Sequence, residues 1–117
     1  MKERKDLICL KIPFVIFFFQ FFFFSFLFWS NHGESTFIES ADLSGNNRKM
    51  IVKNNLLWVP DIKCDPDPTK KLLYWADNYR NTLEMSDYQG MNRKVIYRSP
   101  NINLFITNID IYKVRNL

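Results

Sequence analysis

The sequence predicts an all-β chain built from consecutive small antiparallel sheets, of the kind that stack face to face in a β-propeller or a related array. Two observations carry this. Residues 72–97, LLYWADNYRNTLEMSDYQGMNRKVIY, read as strand, loop, strand, glycine turn, strand. The chain then says the same thing twice: FIESADLSGNNRKMI superposes without a gap on TLEMSDYQGMNRKVI at an offset of 45 residues. The identical pairs are Glu39 and Glu84, Asp42 and Asp87, Gly45 and Gly90, Asn47 and Asn92, Arg48 and Arg93, Lys49 and Lys94, Ile51 and Ile96. Just upstream, Leu27-Phe28-Trp29-Ser30-Asn31 answers Leu73-Tyr74-Trp75-Ala76-Asp77 at an offset of 46, so the first copy carries one extra loop residue.

Residues 1–29 pair a charged start with a Phe-rich apolar run, Ile12 to Trp29, broken only by Pro13, Gln20 and Ser25. That run is close to the length of a membrane span. Three readings stay open for residues 1–29: a signal or anchor inserting residues 7–29 in a membrane, a distorted first strand, or a low-complexity run in place of blade sequence. Phe28 and Trp29 belong both to this run and to the first repeat, and one residue cannot sit in lipid and pack between sheets.

Residues 30–53 complete the first repeat, with His32 and Gly33 expected in a solvated loop. In residues 54–98, the second repeat, Pro60-Asp61 reads as a turn, Ile62–Asp65 as a short strand and Asp65-Pro66-Asp67-Pro68 as a rigid loop. The spacing of Asp61, Asp65 and Asp67 lacks the glycine and glutamate of a calcium loop, so turn roles are expected and no metal. Residues 99–117 read as the inner strand of a third, incomplete repeat.

Tyr74 and Trp75 adjoin on one strand, so their side chains take opposite faces and can pack on two neighbouring sheets. Asp77 is placed to accept hydrogen bonds from backbone N–H groups. Glu39 with Arg48, and Glu84 with Arg93, stand nine residues apart across a hairpin, a spacing for a cross-strand ion pair. Tyr88 and Gln89 are expected at an exposed turn tip. The glycines suit turns that need positive φ. There are two cysteines, Cys9 and Cys64, too few for a disulfide framework, and Cys64 is expected to be a buried inert thiol.

The net charge is +4, of which about half resides in residues 1–29. The repeats therefore present no clustered basic face, and nucleic acid is excluded as the expected partner.

Together these blocks resemble the class B repeat of the low-density lipoprotein receptor family, whose usual form is Tyr-Trp-Thr-Asp, then Ile-Glu, then Leu-Asp-Gly, then Asn-Arg. The residues that match are Phe28, Trp29, Asn31, Glu39, Gly45 and Arg48 in the first copy, and Tyr74, Trp75, Asp77, Glu84, Gly90 and Arg93 in the second. Asn31 stands where the family has Asp, and Lys63 where the innermost strand has a small residue.

The resemblance implies a partial six-bladed β-propeller of about two blades, part of a longer receptor that supplies the missing blades. It implies an extracellular segment binding protein ligands at the cell surface, with no cofactor and no catalytic residues. A small membrane-anchored interaction protein is the alternative. A propeller hydrolase is the third reading, with only Asp65 and Asp110 near the channel positions it needs. Open blade faces predict that residues 30–117 alone do not unfold cooperatively.

Overall fold

The computed structural model describes residues 4–5, 9–11, 26–67, 69–101 and 105–112. It contains nine strands, β1 (Arg4–Lys5), β2 (Cys9–Lys11), β3 (Phe26–His32), β4 (Phe37–Asp42), β5 (Lys49–Val52), β6 (Asp61–Cys64), β7 (Leu72–Asp77), β8 (Thr82–Asp87) and β9 (Lys94–Arg98), with no helix among the described residues. They form two antiparallel sheets. In the first, β1 and β2 both pair with β3, followed by β4 and β5; in the second the order is β6-β7-β8-β9.

The two sheets are copies in register as well as in sequence. Trp29 lies opposite Glu39, and Trp75 opposite Glu84. Each sheet has a bulge at the same place, between Ile38 and Glu39 and between Leu83 and Glu84. The extra residue of the first copy is absorbed in the loop after Asn31, which pairs with Phe37, whereas Asp77 pairs with Thr82. Both hairpin turns use the same backbone, Gly45 at φ 82° with Asn47 at 55°, and Gly90 at 79° with Asn92 at 55°. A tight turn of this hand favours Gly and Asn because neither is strongly penalised at positive φ.

Strand alternation decides how the sheets stack. Phe26 and Phe28 point from β3 toward the second sheet, and Leu73 and Trp75 point from β7 toward the first. Between them lies the core of Phe28, Ile38, Val52, Leu56, Val59, Ile62, Leu73, Trp75 and Tyr88, all under 9% exposed. The contact thus sets the Phe28 face of one sheet on the Trp75 face of the next. The opposite faces, with Tyr74 on one side and Trp29 on the other, look away from this junction.

Several expectations change. Phe26–Trp29 lies in strand β3, and Cys9–Lys11 pairs with Phe26–Phe28 of it; the rest of the apolar run, residues 12–25, lies outside the described residues. No helix among the described residues is long and apolar enough to cross a membrane. Lys63 does not disturb the inner strand, since β6 pairs with β7 along its whole length, Lys63 opposite Tyr74. Residues 105–112 carry no strand; instead of joining a ladder, the Ile109 N–H donates to the Asp61 carboxylate at 2.8 Å.

Cys64 is disulfide-bonded, and there is no free cysteine, contrary to the inert thiol expected from the low cysteine count. A single bridge needs only two cysteines brought together by the fold, which the spacing argument ignored. Thiol titration of the oxidised, folded chain is expected to count none, and reduction to destabilise it by about 2–4 kcal/mol. A reactive thiol in the folded, oxidised chain would contradict the bridge.

Candidate functional site

The matched residues fall into two constellations, one per sheet. In the first sheet, the buried Glu39 carboxylate collects Trp29 Nε1 at 3.0 Å, Asn31 Nδ2, and the Arg48 guanidinium at 2.9 and 2.8 Å. In the second, Glu84 is 1% exposed and accepts from Arg93 Nε at 2.9 Å and Thr82 Oγ1 at 2.9 Å. Each arginine also lies over its tryptophan, 5.5 Å from the ring centroid in both sheets. A carboxylate held between an arginine and an indole fixes a cation–π contact that would otherwise be mobile.

The copies differ in what else surrounds the carboxylate: Asn31 Nδ2 donates to Glu39, whereas its counterpart Asp77 is itself an acceptor. Thr82 supplies a hydroxyl where the first sheet has Phe37, and that hydroxyl occupies the Glu84 oxygen. Trp75 Nε1 is left without a hydrogen-bond partner among the described residues.

Asp77 is fully buried and holds three backbone N–H groups: Leu57 at 2.8 Å, Trp58 at 3.2 Å and Arg80 at 3.1 Å. Asn78 N–H donates to the Trp58 carbonyl at 2.8 Å, closing the same corner. The carboxylate therefore fastens the linker between the sheets to the end of β7. Arg93 grips the same linker further back, with Nη1 on the Asn54 carbonyl at 2.5 Å and Nη2 on the Asn55 carbonyl at 2.9 Å. Gly90 sits against the backbone of Ile51: a Cβ there would lie 1.9 Å from the Ile51 oxygen. So Asp77, Gly90 and Arg93 all reach from the second sheet to residues 51–58 of the preceding segment. At their counterparts the surroundings differ: Asn31 donates to Glu39, and a Cβ at Gly45 would meet nothing within 4 Å among the described residues.

Four residues that were expected elsewhere, or had no expected role, matter here. Asp42 and Asp87 are identical in the repeat but had no assigned function; each carboxylate accepts two backbone N–H groups of its hairpin turn, Ser44 and Asn46 at 2.9 and 2.8 Å, Gln89 and Met91 at 2.9 and 2.8 Å. Turn help thus comes from the residue three before the glycine, a regularity already visible in the aligned copies. Tyr88 is not at an exposed tip. It is 5% exposed and packs against Phe28 and Phe26, with ring centroids 4.8 and 5.7 Å apart. His32 is not in a solvated loop either. It ends β3 at 6% exposure, with Nε2 3.1 Å from Ser30 Oγ and its ring edge-on to Trp58 at 4.0 Å.

The acidic loop after β6 binds itself. Asp65 accepts from Asp67 N–H at 2.8 Å and the Tyr74 hydroxyl at 3.1 Å, and Asp67 accepts from Thr69 N–H and Oγ1 at 3.0 and 2.7 Å. Among the described residues no three His, Cys, Asp or Glu side chains are grouped to hold a metal ion. Burial first, then the hydrogen bond and charge of Asp65, raise the Tyr74 phenol above its ordinary range; burial and then the Asp65 charge do the same for Tyr88. A folded phenol with a raised pKa keeps its proton where the unfolded one has lost it, so this contribution is whole below about pH 10 and is lost as pH rises beyond that. Near-ultraviolet titration is expected to show a late-ionising fraction among the five tyrosines. Tyr88→Phe should shrink that fraction; an unchanged profile would contradict it.

One end of the molecule gathers the β3–β4 loop, the linker 53–60 and the β7–β8 loop, because β6 runs antiparallel to β7 and Asp61 lies opposite Ala76. There Leu57 and Tyr79 are 53% and 65% exposed, and half-buried Trp58 lies between His32 and Tyr79, 6.2 Å from the Tyr79 ring. Trp58 is fixed on its backbone side by Asp77. The His32, Trp58 and Tyr79 rings thus form one aromatic surface.

Comparison with known proteins agrees with the repeat. Residues 25–62 match the family model of the low-density lipoprotein receptor repeat class B, a span from the start of β3 into β6. The second copy from residue 63 onward lies outside the matched span and rests on its identities with the first. Among solved structures, a chain in the crystal structure of a nidogen/laminin complex is similar at 27% identity and a TM-score of 0.57. The likeness covers 64% of this chain and 28% of that one, so this chain spans little more than a quarter of the neighbour's length. Both findings fit two antiparallel sheets stacked as blades of a β-propeller. Residues 25–62 are thus similar to the class B repeat of the low-density lipoprotein receptor family, and the two stacked sheets to part of a solved propeller chain.

Proposed function

We propose that the chain is a protein-binding scaffold segment on the extracellular side of a cell-surface receptor of the low-density lipoprotein receptor-related type, in endocytosis or signalling. In this reading residues 30–53 complete one repeat, 54–98 form the next and 99–117 begin a third, and further blades complete the propeller. The similarity of residues 25–62 to the class B repeat carries the proposal. The disulfide at Cys64 supports it, because such bridges persist in oxidising compartments. The exposed Leu57 and Tyr79, with Trp58 held rigid between aromatic rings, are the residue types on which protein interfaces concentrate their energy. The solved neighbour is itself a protein–protein complex by its title.

The membrane-anchored alternative, with residues 7–29 in lipid, has less support because Cys9–Lys11 and Phe26–Trp29 are paired strands. The test is to express the C-terminally tagged chain and label intact cells with impermeant biotin. Labelling of intact cells, together with capture of secreted proteins that Tyr79→Asp abolishes, is the expected result. Labelling only after permeabilisation would overturn the proposal.

A further inference from the structure

The two repeats are near neutral as a whole, yet the fold sorts their charges by sign. The sheets end in β5 and β9, and the segments that carry these outer strands, residues 43–53 and 88–98, contain three Lys or Arg each and no Asp or Glu. The cations recur at an offset of 45: Arg48 and Arg93, Lys49 and Lys94, Lys53 and Arg98. Most of the acids lie inward. Glu39, Asp61, Asp65, Asp77 and Glu84 are buried, and Asp42 and Asp87 accept the N–H groups of their own turns. A count of charges does not see this segregation, which leaves a basic rim.

Two of the six cations are engaged within their own sheets, Arg48 with Glu39 and Arg93 with Glu84. The other four, Lys49, Lys53, Lys94 and Arg98, are exposed and make no ion pair among the described residues. The two outer segments also adjoin. Gly90 seats the β8–β9 turn on Ile51, and Arg93 donates to the Asn54 and Asn55 carbonyls, so Lys94 and Lys53 flank one contact in the chain. Blades before or after these two stack on the sheet faces, whereas the outer edges of β5 and β9 stand at the circumference and stay open.

We propose that this rim binds a sulfated glycosaminoglycan through Lys49, Lys53, Lys94 and Arg98. Within each outer strand the two exposed cations stand four residues apart, about 13 Å at the rise of a strand. A linear polyanion repeats its charge along its length and can meet all four at once, whereas a single acidic side chain meets one. Cations bind such polymers by releasing condensed counterions, a gain that grows with the number engaged. Lysines on an edge strand also discourage strand addition, but that role does not require the acids to be withdrawn from the rim in both copies. That the polymer is a glycan rather than a nucleic acid rests on the extracellular reading above.

Titration of the full chain with heparin, at salt concentrations around about 0.15 M, tests this. The wild-type chain is expected to bind, with an affinity that falls steeply as salt rises. The pair Lys49→Gln and Lys94→Gln, and the pair Lys53→Gln and Arg98→Gln, are each expected to weaken binding at least about tenfold and to make the slope of log K against log salt shallower by roughly 1.5. Lys49→Arg with Lys94→Arg keeps the charge and is expected to bind as wild type does. Lys70→Gln with Lys71→Gln removes the same charge from the loop before β7 and is expected to change the affinity less than about twofold. Wild type that does not bind overturns the proposal. So does binding that the rim pairs weaken no more than the Lys70 and Lys71 pair does, as residues 1–29 would produce on their own, and so does equal affinity for single-stranded DNA of the same length. Binding in solution does not depend on where the chain resides, which biotin labelling of intact cells reads separately, so this proposal and the extracellular reading fail by different measurements.

Discussion

Replacing Asp77 with Ala is expected to cost about 3 kcal/mol, because it takes a fully buried carboxylate away from three backbone donors at once. The carboxylate is fully buried and accepts from Leu57, Trp58 and Arg80. The Leu57 and Trp58 amides should exchange with solvent at least about a hundredfold faster, since each 1.4 kcal/mol is roughly a factor of ten. Asp77→Asn retains one acceptor oxygen and should lie between wild type and Ala. Exchange at Leu57 and Trp58 unchanged in Asp77→Ala would show that the linker is held by something else.

The second large effect is expected at Gly90, and the chain supplies its own control. Gly45 and Gly90 share a positive φ, 82° and 79°, so a side chain at either meets the same backbone penalty, about 1 kcal/mol. They differ in what surrounds them. A Cβ at Gly90 would sit 1.9 Å from the Ile51 oxygen and 2.7 Å from its carbonyl carbon, whereas one at Gly45 meets nothing within 4 Å. Backbone cannot swing aside as a flexible side chain can, so Gly90→Ala must push the sheets apart, exposing Tyr88 and Val52. We expect it to cost at least about 3 kcal/mol more than Gly45→Ala in urea unfolding of the full chain, in the range of core disruption. Equal effects would mean that the turn alone, and not its seat on the first sheet, makes this glycine necessary.

The repeat was legible because it is written in identities at fixed spacing, and identical residues at matched positions build identical turns. Trp-Glu-Arg was legible as a cross-strand ion pair, Glu39 with Arg48 and Glu84 with Arg93, because hairpin pairing follows from sequence separation alone. What escaped was whatever depends on the neighbouring sheet. Tyr88 looks like a turn residue until Phe26 and Phe28 are placed above it. His32 looks like a loop residue because the insertion that lengthens its loop leaves it on the strand. Cys64 gave no sign of its bridge, since pairing is decided by where the fold brings sulfur atoms and not by spacing along the chain. Of the inner strand expected within residues 99–117, the described part 105–112 joins no ladder: alternation supplies a strand face, but a strand also needs a partner, and residues 102–104 and 113–117 lie outside the described residues.

The two repeats pack as adjacent blades, the Phe28 face of one on the Trp75 face of the next. The most direct test is a nuclear Overhauser spectrum of the full chain with selectively labelled aromatic residues. Cross-peaks between the rings of Tyr88 and Phe28, whose centroids lie 4.8 Å apart, together with contacts from Gly90 to Ile51, are the predicted result. Intact cross-strand peaks within each sheet, such as Trp29 to Glu39 and Trp75 to Glu84, without any between the sheets would contradict it.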